Sequence, residues 1–490
     1  MTAFDELMAY QRETEALAQI AGRLGWDQET VMPRGGAQQR GEEMAAIEGV
    51  LHARRTDPRL ADWLSKARAR DEAGNRALDL ISRAYLKQSR VPAKLAAEIA
   101  RLTSVAQGIW ADARTAEDVA AFLPTLQTVV ALVREKGQAL ADGGDTYDAL
   151  LDDYEPEASG NTIAAMFAAM RPRLVALREA ILGAAHQPRA LSGRFAEAAQ
   201  LALARELADA FGYDWTRGRL DLAVHPFSSG SGNDVRITTR VSETEPFVCF
   251  YSTIHEVGHA AYELAIDQRH LLTPLGQGVS MGVHESQSRI YENQIGRSRA
   301  FAGWLYGRMG AHFADTGLGD ADAFYGAVNR VNKGYIRTEA DEVQYNLHIM
   351  LRFDLERDLM SGRLAVADLE EAWNARFLAD FGYPVDKPSN GMLQDVHWSC
   401  GLIGYFPTYS LGNLYAGCLH QSLRLAVPDL DQHLARGDAR PATDWLAANL
   451  QHHGSLRPPL ATIEAACGHA PTAEPLLAYL EEKFRAIYRL

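Results

Sequence analysis

Cysteine is scarce in this chain of 490 residues: Cys249, Cys400, Cys418 and Cys467 lie far apart, with no paired spacing. That excludes a Cys-based metal site and a disulfide scaffold, and it leaves buried thiols in a reducing compartment. Positive charge is in deficit too. A net charge of −14 argues against nucleic acid or an anionic membrane as partner, because phosphates would be repelled over most of the surface. No uninterrupted apolar run is long enough to span a bilayer. The opening "MTAFDELMAYQRETEALAQ" has no basic start followed by an apolar core, so no signal peptide is expected and the expected location is cytoplasmic. Internal repeats, low-complexity blocks and linker-like runs are also missing.

What the chain does have is helical periodicity. Leu17, Ile20, Ala21 and Leu24 follow an i, i+3, i+4, i+7 pattern, which Pro33, Gly35 and Gly36 end. A second helix is predicted after Asn161 and Thr162, with Ile163, Met166, Phe167, Met170, Leu174 and Leu177 as its core stripe. A third ends the chain, with Leu476, Leu477, Leu480, Phe484 and Ile487 inward. One segment breaks this rhythm. "RLDLAVHPFSSGSGNDVRITTRV" alternates apolar and polar residues around a Gly/Ser/Asn loop, which predicts a small hairpin or a pair of short strands. An edge strand there can hold an extended peptide by main-chain hydrogen bonds, or merely cap a lobe. The fold class expected is all-α with a small β-sheet.

The chemistry concentrates just after that sheet, in "FYSTIHEVGHAAYELAI". His255 and His259 stand at i and i+4, so a helix projects them from one face. Two imidazoles so placed can bind one Zn²⁺ at about 2.0–2.1 Å each. Glu256 lies roughly 100° round the helix and can face the open side as a general base without being a ligand. Ser252 or Thr253 is the expected cap. Gly258 costs about 1 kcal/mol relative to Ala inside a helix, and its missing side chain would let another segment come close. A catalytic zinc needs a third protein ligand. After the break at "LLTPLGQGVSMG", a new helix in "VHESQSRIYENQIGRS" offers Glu285 and Glu292, with His284 a weaker candidate. Spacing does not choose between the two glutamates. Glu263 shares the helix of His259 and reads as a supporting or surface carboxylate.

At this point the residues resemble a known family, the carboxypeptidase Taq (thermostable carboxypeptidase 1) metallocarboxypeptidases. Five of its motifs occur in order: "DVRIT" with Asp234, Arg236 and Thr238, "HEVGH" from His255, "HESQS" from His284, "IRTEAD" from Ile336, and "GMLQDVHW" from Gly391. The early "WDQETVMPRGGAQQR" also looks like that family. The resemblance implies a single catalytic domain over residues 1–490. It implies a nearly all-helical, saddle-shaped, neurolysin-like protein with a deep groove, which assembles as a homodimer. It implies a Zn²⁺ or Co²⁺ centre, broad-specificity release of single residues from peptides with a free C-terminus, and Glu285 as the third ligand.

Recognition of a free carboxylate calls for an Arg fork, which bonds it bidentately. Arg337 and Arg236 are the candidates. Arg337 is preferred because Asp341, one helical turn on, could orient it; Asp341 could instead orient a metal-bound histidine. For the oxyanion of amide hydrolysis, Tyr409 and His397 are the candidate donors, with Tyr405 the alternative to Tyr409. Trp398 reads as packing, and His225, His270, His348, His420, His452 and His453 as structural or surface residues. Two rivals remain at this stage. One is a helical zinc oligopeptidase or dipeptidase, which lacks a cation for the terminal carboxylate. The other is a non-catalytic peptide-binding scaffold, against which an intact Glu256 argues.

Overall fold

In the computed structural model, which describes residues 2–313 and 316–490, the long apolar periodicities become helices, and these divide between two compact units. One unit comprises Met1–Gln88, Pro188–Asn329 and Tyr415–Pro471. The other comprises Ser89–Gln187, Arg330–Leu414 and Thr472–Leu490. No described helix is long and apolar enough to cross a membrane. None of the four cysteines is in a disulfide; Cys249 and Cys418 are buried and the other two half-buried.

The first unit carries the sheet. Its N-terminal helix, Ala3–Thr30, opens on a capping box in which Thr2 and Asp5 satisfy each other's backbone N–H groups. Of the stripe predicted from Leu17 to Leu24, Leu17, Ala21 and Leu24 are half-buried and Ile20 is exposed; the fully buried residues are Leu7, Thr14 and Trp26. Leu7 packs with Leu60, Ala67 and Ile81, while Trp26 lies under Arg219 and Arg236, two residues of the sheet region. Periodicity marked the helix, but contacts contributed by later segments decided which face is covered. Gln19 then donates to Ser231 Oγ and Arg23 to Asp234, so polar groups on that helix tie it to the sheet.

The sheet has three strands, not two. β1 (Leu220–Leu222), β2 (Ser228–Ser231) and β3 (Asp234–Thr239) stand in the order β1-β3-β2. β2 and β3 form the predicted antiparallel hairpin, with Ser231 opposite Asp234, and Gly230 and Gly232 adopt positive φ at its turn. β1 adds a parallel edge, with Leu220 opposite Ile237. Val235 and Ile237 are fully buried. Thr239 Oγ1 donates to the Cys249 carbonyl at 3.0 Å, which fixes the central strand against the helix that follows.

Among its described residues the second unit has helices joined by turns and loops, and no strand. Ser159 caps the helix Gly160–Gly183, just upstream of the expected Asn161. Ile163, Phe167, Met170, Leu174 and Leu177 are buried as predicted, and Met166 is only half-covered. Arg173 of this helix pairs with Glu481 and Glu474 of the C-terminal helix Glu474–Tyr488. The whole predicted stripe of that last helix is buried.

Candidate functional site

The helix Pro246–Ala265 carries the His-Glu motif. It begins earlier than the predicted cap. Pro246 takes the first turn, where a missing N–H costs nothing, and Ser252 and Thr253 lie inside. Thr253 Oγ1 donates back to the Cys249 carbonyl at 2.8 Å. Ser280 caps the next relevant helix, Met281–Arg289, by accepting from the Val283 N–H. That helix loosens into a π-helical turn over Ile290–Gly296, a form that recurs at functional sites.

The two helices touch where Gly258 has no side chain. A Cβ there would sit 2.6 Å from the Gln287 carbonyl oxygen and 2.7 Å from Ser288 Cα, both backbone atoms that cannot swing aside. This is the close approach expected of the glycine, and it brings Glu285 to the histidines. Gly258→Ala should therefore weaken zinc retention and lower Tm. The overpacking cost of about 1–3 kcal/mol exceeds the roughly 1 kcal/mol of helix propensity that Ala gains. Dialysis followed by metal analysis, with a melting curve, checks this; unchanged zinc content and Tm would show that the helices need no such contact.

His255, His259 and Glu285 form a cluster whose potential ligand atoms all lie within 4.8 Å of one another. Glu285 Oε2 lies 3.8 Å from His255 Nε2 and 3.4 Å from His259 Nε2. The remaining atoms of these side chains are held from behind. Arg289 Nε donates to Glu285 Oε1 at 2.7 Å. His255 Nδ1 lies 2.9 Å from Glu292 Oε2. His259 Nδ1 lies 2.6 Å from His284 Nδ1. Glu292 in turn accepts from Arg297 at 3.1 Å. Two imidazole Nε2 atoms and one carboxylate oxygen, each anchored on its far side, match the His₂Glu donor set of catalytic zinc, so the residues fit that ion.

Electrostatics follow the same division. Burial pushes Glu285 up, but Arg289 and the two imidazoles hold it well below the usual carboxylate range. Glu292 is likewise opposed by burial, yet the His255 hydrogen bond and the Arg297 and Arg289 charges bring it down to about 2. Burial lowers His259 to about 3, which keeps it neutral. Glu256 is the exception. It is buried beside the cluster, and burial raises it to about 7, with Glu285 and Glu292 adding to the rise against His255.

A second group of predicted residues gathers in the other unit. Arg337 is buried in a short turn, Arg337–Glu339. Its Nε and Nη2 donate to Asp395 Oδ1 at 3.1 and 3.0 Å, and its Nη1 donates to Tyr345 Oη at 3.2 Å. Its guanidinium lies 4.9 Å over the Tyr409 ring. Tyr409 contacts Tyr405 at 5.3 Å and His397 at 6.4 Å between ring centres. His397 is lowered to about 4, chiefly by burial, against the pull of Asp395. Asp341 has neither role expected of it. The turn at Arg337 breaks the helical spacing, and Asp341 instead accepts from the Val343 and Gln344 N–H groups at the start of the helix Tyr345–Ser361. The partner of Arg337 is Asp395, and that of His255 is Glu292. Arg236, on β3, is held by both oxygens of Asp234 at 2.8 and 3.0 Å, and lies 4.4 Å over Trp26. Trp398 packs as expected and donates to buried Glu356 at 2.9 Å.

Sequence reasoning passed over Asp395, Arg352, Arg289 and Arg297. Asp395 stands inside the quoted "GMLQDVHW" and binds Arg337 and Arg352 together, with Arg352 Nε at 2.7 Å. Arg289 had a local signal, being i+4 from Glu285 on a helix. Arg297 had none, since it reaches Glu292 only through the π-turn between them.

Comparison with known proteins places this architecture. A model of the carboxypeptidase Taq (M32) metallopeptidase family matches residues 6–484. Thermostable carboxypeptidase 1 of Thermus thermophilus is 41% identical over 504 residues, covering 99% of both chains. The solved M32 carboxypeptidase of Deinococcus radiodurans is 36% identical with a TM-score of 0.95 and full coverage of both chains. Trypanosoma cruzi metallocarboxypeptidase 1 is 32% identical with a TM-score of 0.94 over 99% of each chain.

Proposed function

Because this chain belongs to the carboxypeptidase Taq (M32) metallopeptidase family and is a zinc-dependent carboxypeptidase, we propose how its residues divide that work. The carrying observation is the cluster of His255, His259 and Glu285, with its ligand atoms within 4.8 Å and its outer atoms already engaged. These three residues would hold the ion. Zn²⁺ bound there supplies a Lewis acid that polarises the scissile carbonyl and makes water nucleophilic near neutral pH.

Glu256 is the general base. Its carboxylate takes one proton from the attacking water as the new C–O bond forms. It then gives a proton to the amine nitrogen as the C–N bond breaks, so the released amino acid leaves neutral at that nitrogen. Burial, which raises it to about 7, suits Glu256 to both directions of transfer. Tyr409 and His397 are proposed as donors to the oxyanion, since the Tyr409 ring lies against the Arg337 guanidinium and 6.4 Å from the His397 ring. The two compact units are proposed to be one catalytic domain, because each is assembled from three separated stretches of chain. The homodimer is proposed on the family resemblance, and the cytoplasmic location on the scarce, unpaired cysteines that suit a reducing compartment.

Arg337 is proposed as the clamp for the substrate's terminal carboxylate. Asp395 and Tyr345 fix its plane while Nη1 and Nη2 keep further N–H groups to offer. A charge-assisted contact of this kind is worth about 1.5–3 kcal/mol. Arg337→Ala should therefore lower kcat/KM for peptides with a free C-terminus by roughly 10–150-fold. Peptides amidated at the C-terminus should be cut poorly by the wild type and little worse by the variant, a non-additivity that marks a direct contact. Equal damage to both substrates would make Arg337 a structural partner of Asp395 and move the clamp to Arg236. Equal wild-type cleavage of both, at internal bonds, would favour an oligopeptidase.

A further inference from the structure

Both nitrogens of His259 are engaged, and they differ in what they meet. Nε2 faces Glu285 Oε2 at 3.4 Å. Nδ1 lies 2.6 Å from Nδ1 of His284. Two ring nitrogens this close must share one proton, because two bare lone pairs or two N–H groups would repel. The other side of His284 decides which ring supplies it. His284 Nε2 lies 3.0 Å from Glu263 Oε1, an oxygen that also accepts the Gly278 N–H at 2.9 Å. A carboxylate oxygen accepts, so His284 carries a proton on Nε2, and in its neutral form it leaves Nδ1 bare. His259 must then carry its proton on Nδ1 and turn an unprotonated Nε2 toward His255 and Glu285.

We propose that Glu263 and His284 form a carboxylate–imidazole chain that fixes the tautomer and ring plane of His259 and thereby strengthens it as a zinc ligand. The inference rests on the reading of His255, His259 and Glu285 as the metal site. Glu263 and His284 are positioning residues, acting through His259. His255 is served differently, since Glu292 reaches its Nδ1 directly. In the His259 arm the carboxylate charge stands one ring farther away.

The chain is built into the fold at three points. Glu263 lies i+4 from His259, so one helix face presents both ends, and His284 enters between them from the first turn of the next helix. Gly278 makes the room. A Cβ at that position would lie 2.6 Å from His284 Cδ2 and 3.2 Å from Glu263 Oε1. Tyr262 flanks the His284 ring at 5.3 Å between centres, and its hydroxyl accepts from the Val279 N–H. Glu263 itself is buried.

The test is zinc affinity of the full-length apo-protein, measured by competition with a chromophoric chelator, with Tm as a check on folding. Loss of a group that supports a metal-bound histidine costs about 10–100-fold in affinity, and His284→Leu should fall in that range. His284→Asn should recover most of the loss, because its Oδ1 replaces Nδ1 as acceptor for the His259 proton. Glu263→Gln should weaken zinc in the wild-type background and add nothing in His284→Leu, as expected of residues acting in series. The visible spectrum of the Co²⁺-loaded protein should shift in His284→Leu and return toward wild type in His284→Asn. A wild-type Kd in His284→Leu, or an undiminished effect of Glu263→Gln on top of it, would overturn the proposal. If His284→Leu does not fold, Glu263→Gln decides alone: weakened zinc supports the chain and an unchanged Kd removes it. His259→Ala separates this question from the site itself. Should that variant keep zinc, the metal-site reading has failed; should it lose zinc while His284→Leu does not, only the chain has failed.

Discussion

Glu256→Gln should leave zinc bound and abolish most turnover, with kcat falling by about 10⁴-fold or more, at or beyond the upper end of ordinary acid–base loss. The substitution keeps size and shape but removes the only group proposed both to accept the water's proton and to return one to the leaving amine. Glu256 is not among the clustered ligand atoms, so metal content should be unchanged. KM should move little, because the clamp at Arg337 is untouched. The effect should also be non-additive with loss of a ligand, since base and metal act on one water. The decisive measurements are metal stoichiometry and single-residue release from a peptide with a free C-terminus. Near wild-type turnover with zinc in place would sink the assignment of Glu256 as base.

Glu285→Ala should lose zinc on dialysis and with it all measurable activity, whereas Glu292→Ala should hold zinc with a roughly 10–100-fold weaker affinity. The two carboxylates are seven residues apart and both face the metal helix, but they stand on different sides of the imidazoles. Glu285 Oε2 is turned to the Nε2 atoms, at 3.8 and 3.4 Å. Glu292 meets His255 at Nδ1, where it can orient the ring but cannot share the ion. Glu292→Ala also leaves Arg297 and Arg289 without one of their anions, so a lower Tm should accompany the weaker binding. The comparison is a chelator titration of both variants against wild type. Zinc lost from Glu292→Ala and kept by Glu285→Ala would exchange their roles.

Much of this was written in local pattern. An i, i+4 pair of histidines with an intervening Glu needs only helical geometry to become two ligands and a base, and the helix Pro246–Ala265 supplies it. Gly258 offered room for a close approach, and the backbone of Gln287 and Ser288 fills it, whereas helical glycines such as Gly22 and Gly108 have nothing near them. Periodicity also fixed the C-terminal helix and its whole buried stripe. Alternation and a glycine turn marked the segment that holds the sheet, with β1 and β3 carrying the alternation, but not its three-strand order: β2, Ser228–Ser231, has no apolar residue, and the parallel pairing of β1 with β3 joins residues 17 positions apart.

The rest was decided by tertiary structure, for one physical reason: a side chain's partner depends on which distant segment packs beside it. Ile20 lies on the predicted stripe yet is exposed, because the segments that cover that helix bury Leu7 and Trp26 instead. Asp341 has helical spacing to Arg337, but the chain turns between them, so Asp341 accepts from the Val343 and Gln344 N–H groups just ahead of a helix, and Asp395, 58 residues beyond Arg337, takes the arginine. Glu285 and Glu292 are alike in sequence as carboxylates on one helix face, and only the orientation of the imidazole rings distinguishes them. His284 looked like a spare ligand beside Glu285. With its two nitrogens turned to His259 and Glu263, it is instead a link between residues of another helix. The sequence by itself determined which residues can bind a metal and move a proton. Only packing decided which atoms of those residues face one another, and therefore which of them hold the ion and which hold its ligands.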